Sequence, residues 1–209
     1  TNFYTIKYNS SGSNVWNVTY DSGLNDTSYG IAVDNSNNVY VTGFINPDGA
    51  NKNYHTIKYN SSGSEVWNAT YDSGLNDTSY GITVDNSSNV YVTGNNGNDY
   101  YTIKYNSSGS NVWNVSHDGG ASDTAYAIAV DTSYNLYITG SVNNGANNDY
   151  HTIKYDSAGD STAPNITLIS PVDASSSTAT SYNFTFNVSD TSEVSNCSLI
   201  VEGSVINTF

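Results

Sequence analysis

Asp34-Asn35-Ser36-Asn37-Asn38 returns at Asp85–Asn89 and again at Asp131–Asn135. Oxygen-bearing side chains at alternate positions suit a hard cation such as calcium, so Asp34, Asn38, Asp85, Asn89, Asp131 and Asn135 are the candidate ligands. These loops lack the turn glycine and the terminal glutamate of a complete calcium loop. The plainer reading is a hairpin closed by Asx turns. A second acidic series pairs Asp21 with Asp26, Asp72 with Asp77 and Asp118 with Asp123. Two carboxylates at a defined separation are the equipment of glycoside hydrolysis. Repetition in every unit argues against that, because an active site is usually singular. Turn residues come first for this series, cation binding second and catalysis last.

Four of the five lysines share one position, in the motif Thr-Ile-Lys-Tyr at Lys7, Lys58, Lys104 and Lys154. One cation per unit in an acidic chain needs a carboxylate or an aromatic face. Trp16, Trp67 and Trp113 lie on the adjacent segment as packing partners or as ligand-stacking aromatics. Exposed Tyr and Trp would also serve a carbohydrate or protein groove. His55, His117 and His151 lack metal-ligand spacing and read as strand-end residues. Sequons occur at Asn9, Asn17, Asn25, Asn60, Asn68, Asn76, Asn86, Asn106, Asn114, Asn165, Asn183, Asn187 and Asn196. They make the chain a candidate glycoprotein.

Composition narrows the field. The formal charge is −14 with only five Lys and Arg, which argues against nucleic acid and anionic membrane surfaces. The apolar fraction is low, but 19 Tyr and 3 Trp supply large surfaces for thin β-layers. No apolar run is long enough to span a bilayer. The single cysteine, Cys197, rules out an internal disulfide framework in this chain.

The elements that position these residues are repeats. Tyr8–Gly43 returns as Tyr59–Gly94 with differences only at Asn14/Glu65, Val18/Ala69, Ala32/Thr83 and Asn37/Ser88. A looser copy spans Tyr105–Gly140, and a fourth starts at His151. Each unit holds four strand candidates with period-two alternation: Tyr4–Tyr8, Val15–Tyr20, Ser28–Asp34 and Asn38–Gly43. Four short antiparallel strands per unit describe a propeller blade. The small residues Gly30 and Ala32 suit the innermost strand. Length variation falls in one connector, at Phe44–His55, Asn95–Tyr101 and Ser141–His151. Such loops collect on one face of a repeat array.

The pattern TIKYNSSG…VWN…Y…DTSYGIAVDNSNNVYVTG resembles the bacterial and archaeal beta-propeller repeat known as the SBBP repeat. The resemblance covers residues 1–159. It implies a propeller in an extracellular or surface protein, with no shared catalytic residues. Residues 160–209, a linker followed by TAPNITLISP and an alternating segment at Tyr182–Val188, resemble the start of an immunoglobulin-like module of archaeal and bacterial surface proteins. In that resemblance Cys197 pairs with a cysteine beyond Phe209.

The fold expected is all-β: four-stranded antiparallel propeller blades forming an incomplete propeller, plus a partial immunoglobulin-like β-sandwich. The blades expected are a half blade, two full blades (about Tyr29–Tyr71 and Tyr80–Ser116) and a three-strand blade. The start in mid-repeat and the end in mid-domain suggest a fragment of a longer protein. The expected function is non-catalytic, at the cell surface or outside the cell, in adhesion, envelope structure or filament assembly. Expected partners are other copies of the chain, other surface proteins or glycans, with no cofactor except calcium. Exposed blade edges would favour strand addition between chains. The alternatives are a carbohydrate-binding module of a larger secreted enzyme and, last, a propeller enzyme.

Overall fold

The computed structural model describes residues 1–157, Gly159 and the strands within 165–170, 185–189, 198–201 and 204–208. The described elements are all strands. Two compact units divide at residue 160, Thr1–Gly159 and Asp160–Phe209.

The first unit is a series of antiparallel sheets in sequence order. A half blade pairs β1 (Phe3–Tyr8) with β2 (Asn14–Tyr20). The first full blade runs β3 (Thr27–Val33), β4 (Val39–Ile45), β5 (Asn53–Tyr59), β6 (Glu65–Tyr71). The second runs β7 (Asp77–Val84), β8 (Val90–Asn96), β9 (Tyr100–Tyr105), β10 (Asn111–His117). A three-strand blade of β11 (Thr124–Val130), β12 (Leu136–Asn143) and β13 (Asn148–Tyr155) follows. This is an all-β incomplete propeller; the described blades do not close into a ring.

The strands run further than the repeat motifs suggest. β4 continues to Ile45 and β5 begins at Asn53, so both ends of the connector after Gly43 belong to the paired strands of a hairpin. The cause is burial: Phe44, Ile45 and Tyr54 are all in the core. Only the tip, residues 46–52, is loop, and the shorter repeat keeps just residues 97–99.

A wedge shape follows from residue size. Backbone contacts between blades concentrate on the first strands, with β7 against β3 and β11 against β7. A Cβ on Gly30 would stand 2.9 Å from the Tyr80 carbonyl oxygen, so only glycine allows this approach. At the other edge the gap is filled by indoles: Trp16 meets Tyr59 and Trp67 meets Tyr105, with ring centroids 6.4 and 6.0 Å apart. Small residues inside and Trp outside make each sheet splay from its neighbour. Between the full blades lies a core of Tyr40, Tyr54, Val90, Val92, Tyr101, Ile103 and Tyr105. Burial of such side chains, about 1.5–3 kcal/mol each for aliphatic ones, supplies the driving force.

The second unit pairs β14 (Asn165–Ser170) with β15 (Thr185–Ser189), and β16 (Ser198–Val201) with β17 (Ser204–Thr208). Cys197, Asn183 and Asn196 lie outside the described residues.

Candidate functional site

The Asp-Asn loops are closed turns. Asp34 Oδ1 accepts the Ser36 and Asn38 backbone N–H groups, each at 2.9 Å. Its Oδ2 accepts the Asn38 amide at 2.8 Å and the Tyr40 hydroxyl at 2.9 Å. These four bonds match the four lone-pair sites of a carboxylate, and the Ser88 hydroxyl of the next blade adds a longer contact to Oδ2 at 3.4 Å. Asp85 repeats the set with Ser87, Asn89 and Tyr91. Asp131 repeats it with Ser133, Asn135 and Tyr137. Burial opposes ionisation of Asp34, but its hydrogen bonds outweigh that and hold the carboxyl below its ordinary range. In each loop Asn38, Asn89 or Asn135 turns its N–H₂, not its oxygen, toward the carboxylate. The candidate cation ligands are therefore occupied with one another, and each fixes the tyrosine of the second strand.

Lysine and tryptophan form a clasp on the next blade. Lys7 Nζ and Trp16 Nε1 both donate to the Ser61 carbonyl, at 3.2 and 3.1 Å. Lys58 and Trp67 do the same to the Ser107 carbonyl, at 3.3 and 3.2 Å. The gripped turn is Asn-Ser-Ser-Gly. Its glycines, Gly63 and Gly109, have positive φ and lie on the indole faces of Trp16 and Trp67. A side chain there would meet both steric limits at once. The lysines also lie over tyrosine rings: Lys58 over Tyr40 and Lys104 over Tyr91, each at 5.2 Å, and Lys154 over Tyr137 at 5.8 Å. Lys104 also lies 6.0 Å from the Trp113 ring. Lys7, Lys58, Trp16 and Trp67 thus reach the neighbouring blade, and the indole faces of Trp16 and Trp67 are covered by turns.

A second aromatic contact sits at each junction. Tyr20 stacks on His55 at 4.4 Å, Tyr71 on Tyr101 at 4.3 Å and His117 on His151 at 4.9 Å. The last strand of one blade supplies the first ring, and the third strand of the next supplies the second. His55 is not a strand-end residue; it lies within β5 and is 1% exposed. Phe3 covers it edge-on, and its Nδ1 is 2.9 Å from the Thr70 hydroxyl. Burial pushes the imidazole down to about 4, against the opposing pull of Glu65 and Asp26. Its position could not be read from local spacing because the strand extension around it was not visible there.

The second acidic series divides into buried and exposed members. Asp26 and Asp77 are fully buried and accept the backbone N–H and hydroxyl of Ser22 and Ser73 respectively. Desolvation pushes the Asp77 carboxyl up despite these bonds. Asp21, Asp72 and Asp118 are exposed and accept the N–H of Gly23, Gly74 and Gly120. In the third unit Gly119 replaces the serine, and Asp123 accepts from the Gly119 and Asn143 backbone instead. There the short connector brings in Asp99, so that oxygens of Asp99, Asp118 and Asp123 lie within 4.8 Å of one another. Burial and the two neighbouring carboxylates push the Asp99 carboxyl up, with His117 opposing. Asp118 and Asp123 were legible as a recurring pair. Asp99 was not, since it comes from a different loop; the equivalent positions are Asn2, Asn53 and Asp149.

Among sequons of the first unit, Asn9, Asn17, Asn25, Asn68, Asn76, Asn86 and Asn114 are exposed, while Asn60 and Asn106 are half-buried. Asn9, Asn60 and Asn106 use their side-chain oxygens to close the Asn-Ser-Ser-Gly turns. A further aromatic row was not anticipated: Tyr29, Tyr80 and Tyr126 on the first strands, with centroids 5.0 and 5.6 Å apart. Among the described residues no helix is long and apolar enough to cross a membrane.

No family model matches the chain. A stretch of 108 residues is 26% identical to an uncharacterised WD repeat-containing protein of Acanthamoeba polyphaga mimivirus. The match covers 44% of this chain and 8% of that protein, so the chain spans a small part of the relative's length. The relative's repeats, together with four-stranded sheets packed through their first strands, make this chain a repeat protein of β-propeller-like architecture.

Proposed function

We propose that this chain is a non-catalytic scaffold of an extracellular or cell-surface protein, acting in adhesion, envelope structure or filament assembly. The reading takes residues 1–159 as SBBP-type blades and residues 160–209 as the beginning of an immunoglobulin-like module. One observation carries it: the repeated chemical groups are spent on the fold. Lys58 and Trp67 grip a turn, and Asp34 is saturated by its own hairpin. A scaffold of interchangeable units needs that use, and a catalyst needs unlike residues in one place. The exposed sequons support a glycosylated, extracytoplasmic setting.

The test is surface labelling of unpermeabilised source cells with an antibody to the first unit, followed by glycopeptide mass spectrometry. Surface signal with glycan on Asn17, Asn68 or Asn114 is the expected result. Signal only after permeabilisation would sink the proposal. A second reading, a carbohydrate-binding module of a larger secreted enzyme, is favoured by the Tyr29–Tyr80–Tyr126 row, whose outer rings are half exposed. Tyrosine faces of this kind stack on sugar rings. A glycan array that responds to the native chain but not to Tyr126→Ala would support it, and an inert array would remove it.

A further inference from the structure

Three hairpin tips join the second and third strands of the blades, and each holds an asparagine in a different chemical setting. The tip of the first full blade is residues 46–52, where Asn46 precedes Pro47. The second turns at Asn96-Gly97-Asn98-Asp99, and the third at Asn144-Gly145-Ala146-Asn147. The sequence contains two Asn-Gly pairs, and both are at these tips. In such a pair the nitrogen after the asparagine is placed to attack that asparagine's own side-chain amide carbon. Glycine, with no side chain, lets the chain fold back far enough for the bond to form. Pro47 has no N–H to lose, so Asn46 is closed to this route.

The two Asn-Gly pairs share a positive φ at glycine, 95° at Gly97 and 87° at Gly145, and differ in hydrogen bonding. At the third tip every reacting group is held. The Gly145 N–H, which would be the nucleophile, donates to Asn143 Oδ1 at 2.8 Å. Asn144 Oδ1 accepts the Ala146 and Asn147 N–H groups at 2.9 and 3.0 Å. The Asn144 amide nitrogen, the leaving group, donates to Asp149 Oδ2 at 2.9 Å. At the second tip one bond remains: Asn96 Oδ1 accepts the Asp99 N–H at 3.2 Å. Neither the Gly97 N–H nor the Asn96 amide nitrogen makes a hydrogen bond among the described residues. The single bond draws electrons from the amide carbon and leaves nucleophile and leaving group free.

We propose that Asn96 is a site of self-modification, converting to aspartate and isoaspartate through a cyclic imide, while Asn144 is protected. The Gly97 nitrogen loses its proton and bonds to the Asn96 side-chain carbonyl carbon. The carbon–nitrogen bond of the side-chain amide breaks, and ammonia leaves with that proton. Water then opens the five-membered imide at either carbonyl. One opening gives aspartate. The other gives isoaspartate, in which the main chain runs through the former side chain. The balance is one water taken up and one ammonia released, and nothing is oxidised or reduced.

Freedom and field oppose each other at the second tip. Asn96 ends β8, so Gly97 is not held in the ladder. Against this, oxygens of Asp99, Asp118 and Asp123 lie within 4.8 Å of one another, and their negative field resists loss of the Gly97 proton. That field is screened by salt. The bonds at Asn144 must be broken before its ring can close, and each lowers the reactive population several-fold. Hydrogen bonding therefore decides the order: in the folded chain Asn96 should react about tenfold faster than Asn144.

The product sits among like charges. Asn96 stands opposite Asp77 in the β7–β8 ladder, and Asp77 is fully buried. The turn brings Asp99 back to the same residue. A carboxylate at position 96 meets both, and like charges directly opposite each other destabilise a strand pair. Isoaspartate also lengthens the main chain within a hairpin whose register is fixed. The second full blade thus weakens with the age of the molecule, beginning at the tip that carries Asp99.

The test is peptide mass spectrometry of the unaltered chain aged in mildly alkaline buffer, folded and in guanidinium chloride. Trypsin cuts after Lys58, Lys104 and Lys154, so Asn96 and Asn144 fall on separate peptides. Labelling with an isoaspartyl methyltransferase counts the isoaspartate. In guanidinium the two pairs should react at similar rates, because their protection is gone. In the folded chain Asn96 should lead by about tenfold. Equal rates in the folded chain, or a lead for Asn144, overturn the proposal. So does an Asn96 that stays intact while the unfolded sample reacts. Asn143→Ala frees the Gly145 N–H and should speed the reaction at Asn144; no change would overturn hydrogen bonding as the cause. Asn96→Asp should melt below Asn96→Gln at low salt, with the gap closing as salt is added. Equal melting would overturn the weakening of the blade. If Asn143→Ala does not fold, the ratio of the two rates in the unaltered chain decides. None of these outcomes depends on whether the chain resides at a cell surface.

Discussion

The junction between the two full blades and the junction between β7–β10 and β11–β13 have the same shape and different polar wiring. In the former, Trp67 donates to the Ser107 carbonyl and Tyr54 donates to the Tyr101 carbonyl. In the latter, Trp113 Nε1 and the Tyr100 hydroxyl have no hydrogen-bond partner among the described residues. Asp77 keeps its serine hydroxyl, while Asp123 has a glycine there and two carboxylates beside it. Yet both junctions retain a stacked ring pair, Tyr71–Tyr101 and His117–His151. Backbone geometry and apolar burial set the fit between blades. The hydrogen bonds add strength to a fit that already exists.

The harshest way to break this comparison is to attack what both junctions share. A Cβ on Gly94 would collide with the Thr78 carbonyl and lie 2.7 Å from the Tyr54 hydroxyl; one on Gly140 would collide with the Thr124 carbonyl and lie 2.7 Å from the Tyr100 hydroxyl. Gly94→Ala and Gly140→Ala should each destabilise by about 5 kcal/mol, or prevent folding, in urea titrations. A much milder effect of either would show that the strands yield where we place a rigid contact.

Removing the indoles sharpens it. Trp67→Ala should cost about 4 kcal/mol, and Trp113→Ala about 1 kcal/mol less, because only the former breaks an intact hydrogen bond. Equal losses would mean that the clasp contributes nothing beyond packing.

The third prediction concerns acid. His55 occupies the slot that Tyr101 fills at the next junction, and its folded value is about 4 against an ordinary 6.5. The unfolded chain therefore binds the proton first. Stability is full above pH 6.5 and falls as pH drops toward 4, by up to about 3 kcal/mol. His55→Tyr should remove that contribution, measured as thermal melting at pH 7 and pH 4.5. If the variant is as acid-sensitive as the native chain, His55 is not the responsible group. The smallest effect is expected from Lys58→Met, which loses one hydrogen bond and a cation–π contact, about 1 kcal/mol by denaturant titration.

Much of this was legible beforehand because alternation and turn chemistry are local. VWNVTY and NVYVTG declare strands, and the Asp34 loop declares its own closure. The blade divisions followed from counting those strands. Contacts between units were less accessible. Nothing near Trp16 in the chain says that its indole reaches the Ser61 carbonyl in the next unit. The cluster of Asp99, Asp118 and Asp123 arises from separate loops, and its third member depends on a shortened hairpin. The burial of His55 depends on Phe3 and Tyr20 from another sheet. Local pattern gives elements, whereas the chemistry of the junctions depends on how those elements meet.

The clasp also bears on how such an array lengthens. Every full unit carries a socket, its Lys and Trp, and a plug, its Asn-Ser-Ser-Gly turn. Unequal recombination in a gene of this kind copies both in one event. The inserted unit fits its neighbours on either side with no new interface to invent. The four differences between Tyr8–Gly43 and Tyr59–Gly94 spare the Trp and turn residues, and the lysines just before them are also identical. A mutation that harmed the plug would be paired with intact sockets elsewhere, so damage at one junction stays local. Such a molecule can vary its length by genetic accident while each blade folds by the same rules.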